Sequence, residues 1–470
     1  MIRRFAFSAW VLALLACSKE RIDLVSTLDG GANDGSLSDV GTASIPASST
    51  SVRVGWLSPQ GIQALPAHYG LQLQSGSNPE RFGVPGAALY KQNLAFMKPG
   101  LVNIQPVNLM GDSTTEATGW LISPTTAAVA WDREKIRRSL QGNDQLAAPL
   151  MITIPKWPQA LGAPNVALAV ANYDKFAQLC ADLVRVVNVE QQRGVRTFQI
   201  LSELDVLYDN DGGIQLGKLV ATIARSMKSV DPSILVGGSG FIYGGAPLIA
   251  GFISSAGEDL DFVSFHGYGT GDASEPLSAV FANADKQGSY ADEVRALVPG
   301  RARPLGIYQT QWSLNWQEDS RMAGQDAAVF DTLAMISFVK HRLTGATSWK
   351  DSDGWYGKLD GQDRLRPSAH AMALMNRAFI GDVVATTSPS ANVTVFAVRN
   401  AGKRSVLLVN RSATALQMPM EIWNGELFSN NTKRTVIDSN GASEFDATAA
   451  KGQRSFIVPL PALSITSFED

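Results

Sequence analysis

Cysteine is nearly absent: Cys17 and Cys180 are the only two in 470 residues. Cys17 closes a signal-like segment, so once it is lipidated Cys180 stands alone and an internal disulfide is excluded. Cys180 falls with Phe176, Leu179, Leu183, Val184 and Val187 at helical spacing, the setting of a buried, inert thiol. Positive charge is nowhere concentrated. The net charge is −3 and no basic run occurs, so nucleic acid is not an expected partner. The apolar run at 5–16 is too short to span a bilayer comfortably. No internal repeat is present, low complexity is confined to a segment near the N-terminus, and neither a cofactor nor a metal is expected.

Met1-Ile-Arg-Arg4, the apolar run and Leu14-Leu15-Ala16-Cys17 resemble a bacterial lipoprotein signal, with Cys17 the lipidated residue of the mature chain. A plain signal peptide cut elsewhere is the alternative. Ser18 after that cysteine implies the outer membrane or cell surface, with membrane attachment through a lipid anchor. Residues 18–52 are rich in Ser, Thr, Ala, Gly and Asp. They offer too little apolar surface to offset ordering entropy and read as a tether.

The remainder is ordinary in composition, 45% hydrophobic and 18% charged, with ample material for a sizeable core. From residue 66 onward, short β-like runs alternate with helical patterns. Candidate strands fall at 69–73, 101–107, 150–154, 197–201, 234–237, 262–265, 305–310 and 346–349, with the weakest helix signals around the first two. Eight nearly continuous apolar runs separated by helices point to a (β/α)8 TIM barrel, assigned to residues 53–376. The clearest helix is 326–340, with Ala327, Phe330, Leu333, Ala334, Ser337 and Phe338 on one stripe. After residue 376 the texture changes to short strands punctuated by Asn400-Ala-Gly402, Asn424-Gly425 and Asn440-Gly441. This predicts an antiparallel β-sandwich over 377–470, to which 51–56 is able to add a strand.

In such a barrel the functional groups stand at the C-terminal ends of the strands. There the sequence places Pro155-Lys-Trp-Pro158, Ser202-Glu203-Leu204-Asp205, Phe265-His-Gly-Tyr268, Tyr308-Gln-Thr-Gln-Trp312 and Trp349-Lys-Asp351. Five of the ten tryptophans, Trp157, Trp312, Trp316, Trp349 and Trp355, fall on this expected rim. Each alone is more often packing than platform, but gathered at one end they suit the apolar faces of sugar rings.

With these motifs in place the chain resembles the clan A glycoside hydrolases, nearest to family 39 β-xylosidases with an appended β-sandwich. The resemblance covers about residues 66–470 and rests on seven features: Trp157-Pro158, Glu203, Ser229-Val-Asp-Pro232, Asp261-Phe-Val-Ser-Phe-His-Gly-Tyr268, the seventh strand bearing Trp312, Trp355-Tyr-Gly357 before Arg366-Pro367, and Leu460-Pro-Ala-Leu-Ser464. It implies Glu203 as the acid/base, with Trp157, Ser202, His266, Tyr268, Trp312 and Trp349 lining an oligo- or polysaccharide site. The pattern departs at three places. Ser202 stands where an Asn is usual, no Arg is found near Gln105, and Gln311 occupies the position of the nucleophilic Glu. A retaining glycosidase needs two carboxyl groups about 5–5.5 Å apart. An amide keeps the shape of a Glu but cannot form the glycosyl ester.

Three readings follow. Rewired hydrolysis would take a base from Asp351 or Asp353, though both suit loop formation, or would use an N-acetylated sugar polarised by Gln311. A glycan-binding lipoprotein would hold a saccharide without cutting it. A scaffold would use the sandwich for protein contacts.

Overall fold

A computed structural model describes residues 44–74, 87–105, 119–123, 125–245, 247–298 and 300–470. The signal-like segment, Cys17 and most of the tether lie outside the described residues. Strands run in chain order as β1 (Val52–Ala64), β2 (Gly70–Leu73), β3 (Val102–Ile104), β4 (Leu121–Ile122), β5 (Ala130–Trp131), β6 (Leu150–Ile154), β7 (Thr197–Ile200), β8 (Leu235–Phe241), β9 (Phe262–Thr270), β10 (Gly306–Asn315) and β11 (Gly345–Ser348). Eight of them close in the order β2-β3-β6-β7-β8-β9-β10-β11, every pair parallel, which is the TIM barrel the alternation predicts. β8, β9 and β10 run four or five residues past the expected ends, because glycines and inward polar residues hide the strand signal there.

Helices Tyr173–Val184 and Ile214–Val230 flank β7. Cys180 is buried among the first helix's apolar residues, and burial pushes its thiol pKa well up, as expected of an inert thiol. Helix Gln325–Lys340 differs from expectation. A stripe predicts one buried face, yet 327–339 is buried on all sides, the behaviour of a helix enclosed by two layers.

The second layer is a sheet containing β12 (Gly381–Thr387), β13 (Val393–Asn400), β14 (Lys403–Asn410), β15 (Leu416–Asn424), β16 (Lys433–Asp438), β17 (Gly441–Asp446), β18 (Ser455–Leu460) and β19 (Ser464–Glu469). It hydrogen-bonds continuously as β17-β16-β19-β14-β13-β12-β1-β15-β18. Six steps separate β19 from β18, about 29 Å in a flat sheet at ~4.8 Å per strand. The rings of Phe456 on β18 and Phe468 on β19 are nevertheless 5.4 Å apart. The sheet therefore folds over on itself as a sandwich, around a core of Val54, Met420, Leu408 and Val458. On β14 the alternate residues Leu407 and Val409 join the barrel's core instead. Arg377 with Glu469, and Arg411 with Asp285, tie the two layers at 3.0 and 2.6 Å.

β1 belongs to this sheet, parallel to β15 and antiparallel to β12, so residues 52–64 fall outside the barrel assigned to 53–376. The tether also ends early. Ile45 is buried, and Arg53 donates to the carbonyls of Pro46 and Ala47 at 3.1 and 3.2 Å. Among the described residues no helix is long and apolar enough to cross a membrane.

Candidate functional site at the barrel mouth

Glu203 stands on a turn held from both sides. The N–H groups of Leu201 and Ser202 donate to the carbonyls of Ile154 and Pro155 beyond β6, at 2.7 and 3.0 Å. The N–H of Glu203 donates in the opposite direction, to the Gly240 carbonyl in β8, at 2.9 Å. Serving two strands within three residues forces left-handed backbone at Leu201 (φ 68°) and Glu203 (φ 56°). Such strain in non-glycine residues persists where the surroundings over-determine it, commonly at functional sites.

The Glu203 side chain is 41% exposed, and its Oε1 accepts from Nδ1 of His266 at 2.7 Å. His266 is fully buried, and its other ring nitrogen, Nε2, has no partner among the described residues. Ser264, His266 and Tyr268 alternate onto the inner face of β9. On β10 a bulge between Gln309 and Gln311 breaks the alternation and sets Gln311 opposite His266. Gln311 is 5% exposed. Its Oε1 accepts from the Tyr268 hydroxyl at 3.2 Å, and its Nε2 donates to Gln105 Oε1 at 3.2 Å. Gln105 Oε1 also accepts from Gln72 Nε2 at 2.6 Å. Both hydrogen-bonding ends of the Gln311 amide are thus engaged by neutral partners. Burial, and secondarily the charge of Glu203, push the Tyr268 pKa far above its ordinary value, so Tyr268 remains a donor.

Gly240 shapes this pocket. A Cβ on it would sit 2.8 Å from Gln199 Nε2 and 3.3 Å from His266 Nε2, and its φ is +55°. Gly240→Ala is expected to cost about 1–3 kcal/mol of stability and to part His266 from Glu203. Denaturant unfolding and the His266 imidazole resonances check both effects.

The chain matches no protein-family model and no curated protein. Solved structures do match it. A monomeric β-xylosidase from Caulobacter crescentus CB15 superposes with a TM-score of 0.65 at 15% identity, covering 89% of this chain and 99% of that one. A GH51 arabinofuranosidase from Xanthomonas axonopodis pv. citri gives 0.65 at 13% identity with the same coverage. A GH30 endoxylanase from Clostridium papyrosolvens C71 gives 0.61 at 15%, again with 89% and 99% covered. The fold is that of the clan A glycoside hydrolases.

On this glycoside-hydrolase-like barrel the predicted site residues divide. Glu203, Ser202, His266, Tyr268 and Gln311 meet at the mouth. Trp349 is half-buried there, edge-on to Tyr356 with centroids 6.5 Å apart, and Lys350 Nζ lies 5.6 Å from its ring. Trp312 does not reach the mouth. It directly follows Gln311, so the pleat turns it outward; it is fully buried, packed on Phe338 at 5.3 Å with Lys358 Nζ 5.2 Å from its ring. Trp157 is 2% exposed, its ring edge-on to Phe176 and its Nε1 donating to Ala163 within its own loop at 3.4 Å, so it offers no open face. A strand-end position does not reveal which way a side chain turns.

The alternative bases are engaged elsewhere. Asp351 is fully buried and accepts from the Tyr90 hydroxyl at 2.6 Å and the Gln74 N–H at 3.3 Å. Asp353 accepts the N–H groups of Trp355 and Gly357, both at 2.8 Å, as a turn former does. Arg366 explains the motif it belongs to: buried, it donates to the carbonyls of Asp353, Gly354, Trp355 and Gly357 at 2.6–3.1 Å, fixing the loop that carries Trp355 and Tyr356. Among the described residues no group of acidic, His or Cys side chains has metal-site geometry. The loops following β2 and β3 lie outside the described residues.

Proposed function

We propose that this is an exported glycan-binding protein that holds a saccharide at the mouth of a glycoside-hydrolase-like barrel without cutting it by double displacement. The observation that carries the reading is the Gln311 amide. It occupies the place of a nucleophile and is bonded at both ends to Tyr268 and Gln105, and among the described residues neither Asp351, bonded to Tyr90 and Gln74, nor Asp353, bonded into its own loop, substitutes for it. Glu203, exposed and oriented by His266, supplies a charged acceptor for sugar hydroxyls. Trp349, presented beside Tyr356, supplies an apolar face. The signal-like N-terminus supports export and anchoring through Cys17, and on this reading the ligand is an extracellular or envelope glycan.

Calorimetry on a panel of neutral oligosaccharides, paired with aryl-glycoside assays, tests this. The wild type is expected to bind and not to hydrolyse, and Trp349→Ala to bind about tenfold more weakly through loss of stacking area. Hydrolysis by the wild type that Glu203→Gln abolishes would refute the non-catalytic reading. Absence of saccharide binding across the panel would leave the barrel as a scaffold.

A further inference from the structure

The segment after β7 carries a second carboxyl group that the rim motifs do not include. Asp205, two residues beyond Glu203, is 3% exposed, and its Oδ1 has no hydrogen-bond partner among the described residues. It opens the 3-10 segment Asp205–Asp211. The Gly240 carbonyl takes the Glu203 N–H, and two residues further along the Ile242 N–H faces the Asp205 carboxyl. One short stretch at the end of β8 therefore holds both the backbone of Glu203 and the side chain of Asp205.

We propose that Asp205 is a positioning residue for Glu203: while neutral, its buried carboxyl seats the Glu203 turn against the end of β8, and its ionisation unseats that turn. The inference rests on the reading of Glu203 as the polar centre of a glycan site. It makes the protein's second influential carboxyl group one that lies beneath the site rather than across it.

Burial is the main cause that raises the Asp205 pKa to about 7. The charges of Glu203 and Asp209 add to the rise, and the N–H groups of Asp205 and Ile242 oppose it. The titratable groups around it are Glu203 and Asp209 on its own segment and Tyr243 beyond β8, whose hydroxyl feels the Asp205 charge. His266 of β9 is reached through Glu203. An unfolded Asp titrates near ~4. A folded value raised above that contributes stability that is fully present below pH ~4 and lost as pH rises to about 7. Above that pH a buried negative charge lies beside Glu203 with no cation among the described residues to pair it, and relieving it draws the Glu203 turn away from the end of β8.

The test compares the whole protein with Asp205→Asn, which keeps shape and cannot ionise, by NMR of the His266 imidazole and by saccharide calorimetry from pH 5 to 9. Wild-type affinity is expected to fall about tenfold between pH 6 and pH 8, and Asp205→Asn to keep its pH 6 affinity throughout. The His266 resonances are expected to show a transition near pH 7 that Asp205→Asn lacks. A merely structural Asp205 would not move either pH profile. Transitions of equal size in both proteins would overturn the inference, since His266 itself would then account for them; so would equal pH dependence of affinity. If no saccharide binds but the His266 transition still depends on Asp205, the positioning role stands and the glycan reading fails.

Discussion

Gln311→Glu is expected to raise aryl-glycoside hydrolysis by about 10²-fold or more over a wild type at background, the scale on which a single catalytic group acts. The substitution places a carboxylate where β9 and β10 set residue 311 opposite His266, whose ring is bonded to Glu203. Tyr268 already donates to the side-chain oxygen at 311 and would orient the new carboxylate. Gln105 would have to turn its amide to offer N–H, giving up its acceptor role toward Gln72. With no arginine among the described residues bonded there to compensate, a stability cost of about 1–3 kcal/mol accompanies the gain. The new negative charge would also favour the protonated form of Glu203, as the acid of a retaining pair requires. A 2-fluoro aryl glycoside followed by mass spectrometry gives a second readout: one covalent glycosyl adduct on Gln311→Glu and none on the wild type. Equal turnover by the two proteins would show that residue 311 is not a nucleophile position at all.

The second large effect lies behind the site. Lys358 Nζ and Asp331 Oδ2 are 2.5 Å apart, with both side chains 2% exposed. Asp331 Oδ1 has no partner, and burial raises the Asp331 pKa while Lys358 opposes the rise. Lys358→Met removes the only opposing cause and leaves a carboxylate in the core, at an expected cost of about 3–5 kcal/mol near neutral pH. The sign with pH follows. With its folded pKa raised further, Asp331 in this variant contributes stability below its unfolded value near ~4 that is lost as pH rises. The variant should therefore be nearest the wild type at acid pH and furthest from it at pH 8. Pairing it with Asp331→Leu removes the orphan charge and should recover most of the loss. Denaturant unfolding at pH 5 and pH 8 decides. A Lys358→Met protein within 1 kcal/mol of the wild type at pH 8 would mean that water reaches the pair.

Much of the barrel was legible because its strands are short apolar runs separated by amphipathic helices, and the closed order of eight follows from parallel pairing. Glu203 was legible from its place after β7. His266 and Tyr268 were legible only through the resemblance carried by the 261–268 motif; that they share one face follows from β9 running on to Thr270. Tryptophan was misleading. Trp157 and Trp312 sit at strand ends and still face the core, because a bulge on β10 and a closed loop after β6 decide their direction. The roles of Gln72, in the short strand β2, and of Gln105, just past the end of β3, were hidden by their separation of more than 200 positions from residue 311. Asp205 lies in the same motif as Glu203, but nothing in the spacing reveals that a carboxyl two residues from an exposed Glu is itself buried.

The sequence by itself determined the class of fold, the presence of a carboxyl at the mouth and the amide, rather than a carboxyl, at residue 311. Each of these depends on local pattern and residue chemistry. Only the tertiary structure decided which strand-end side chains reach the mouth, that the Gln311 amide is bonded at both ends, that Asp351 and Asp353 are committed elsewhere, and that β1 crosses into the C-terminal sheet. Those outcomes depend on pairings between distant segments and on burial, which chain order does not encode directly. Glu203 shows the division most clearly: its identity lies in the sequence, but its left-handed turn exists because β6 and β8 both claim its backbone.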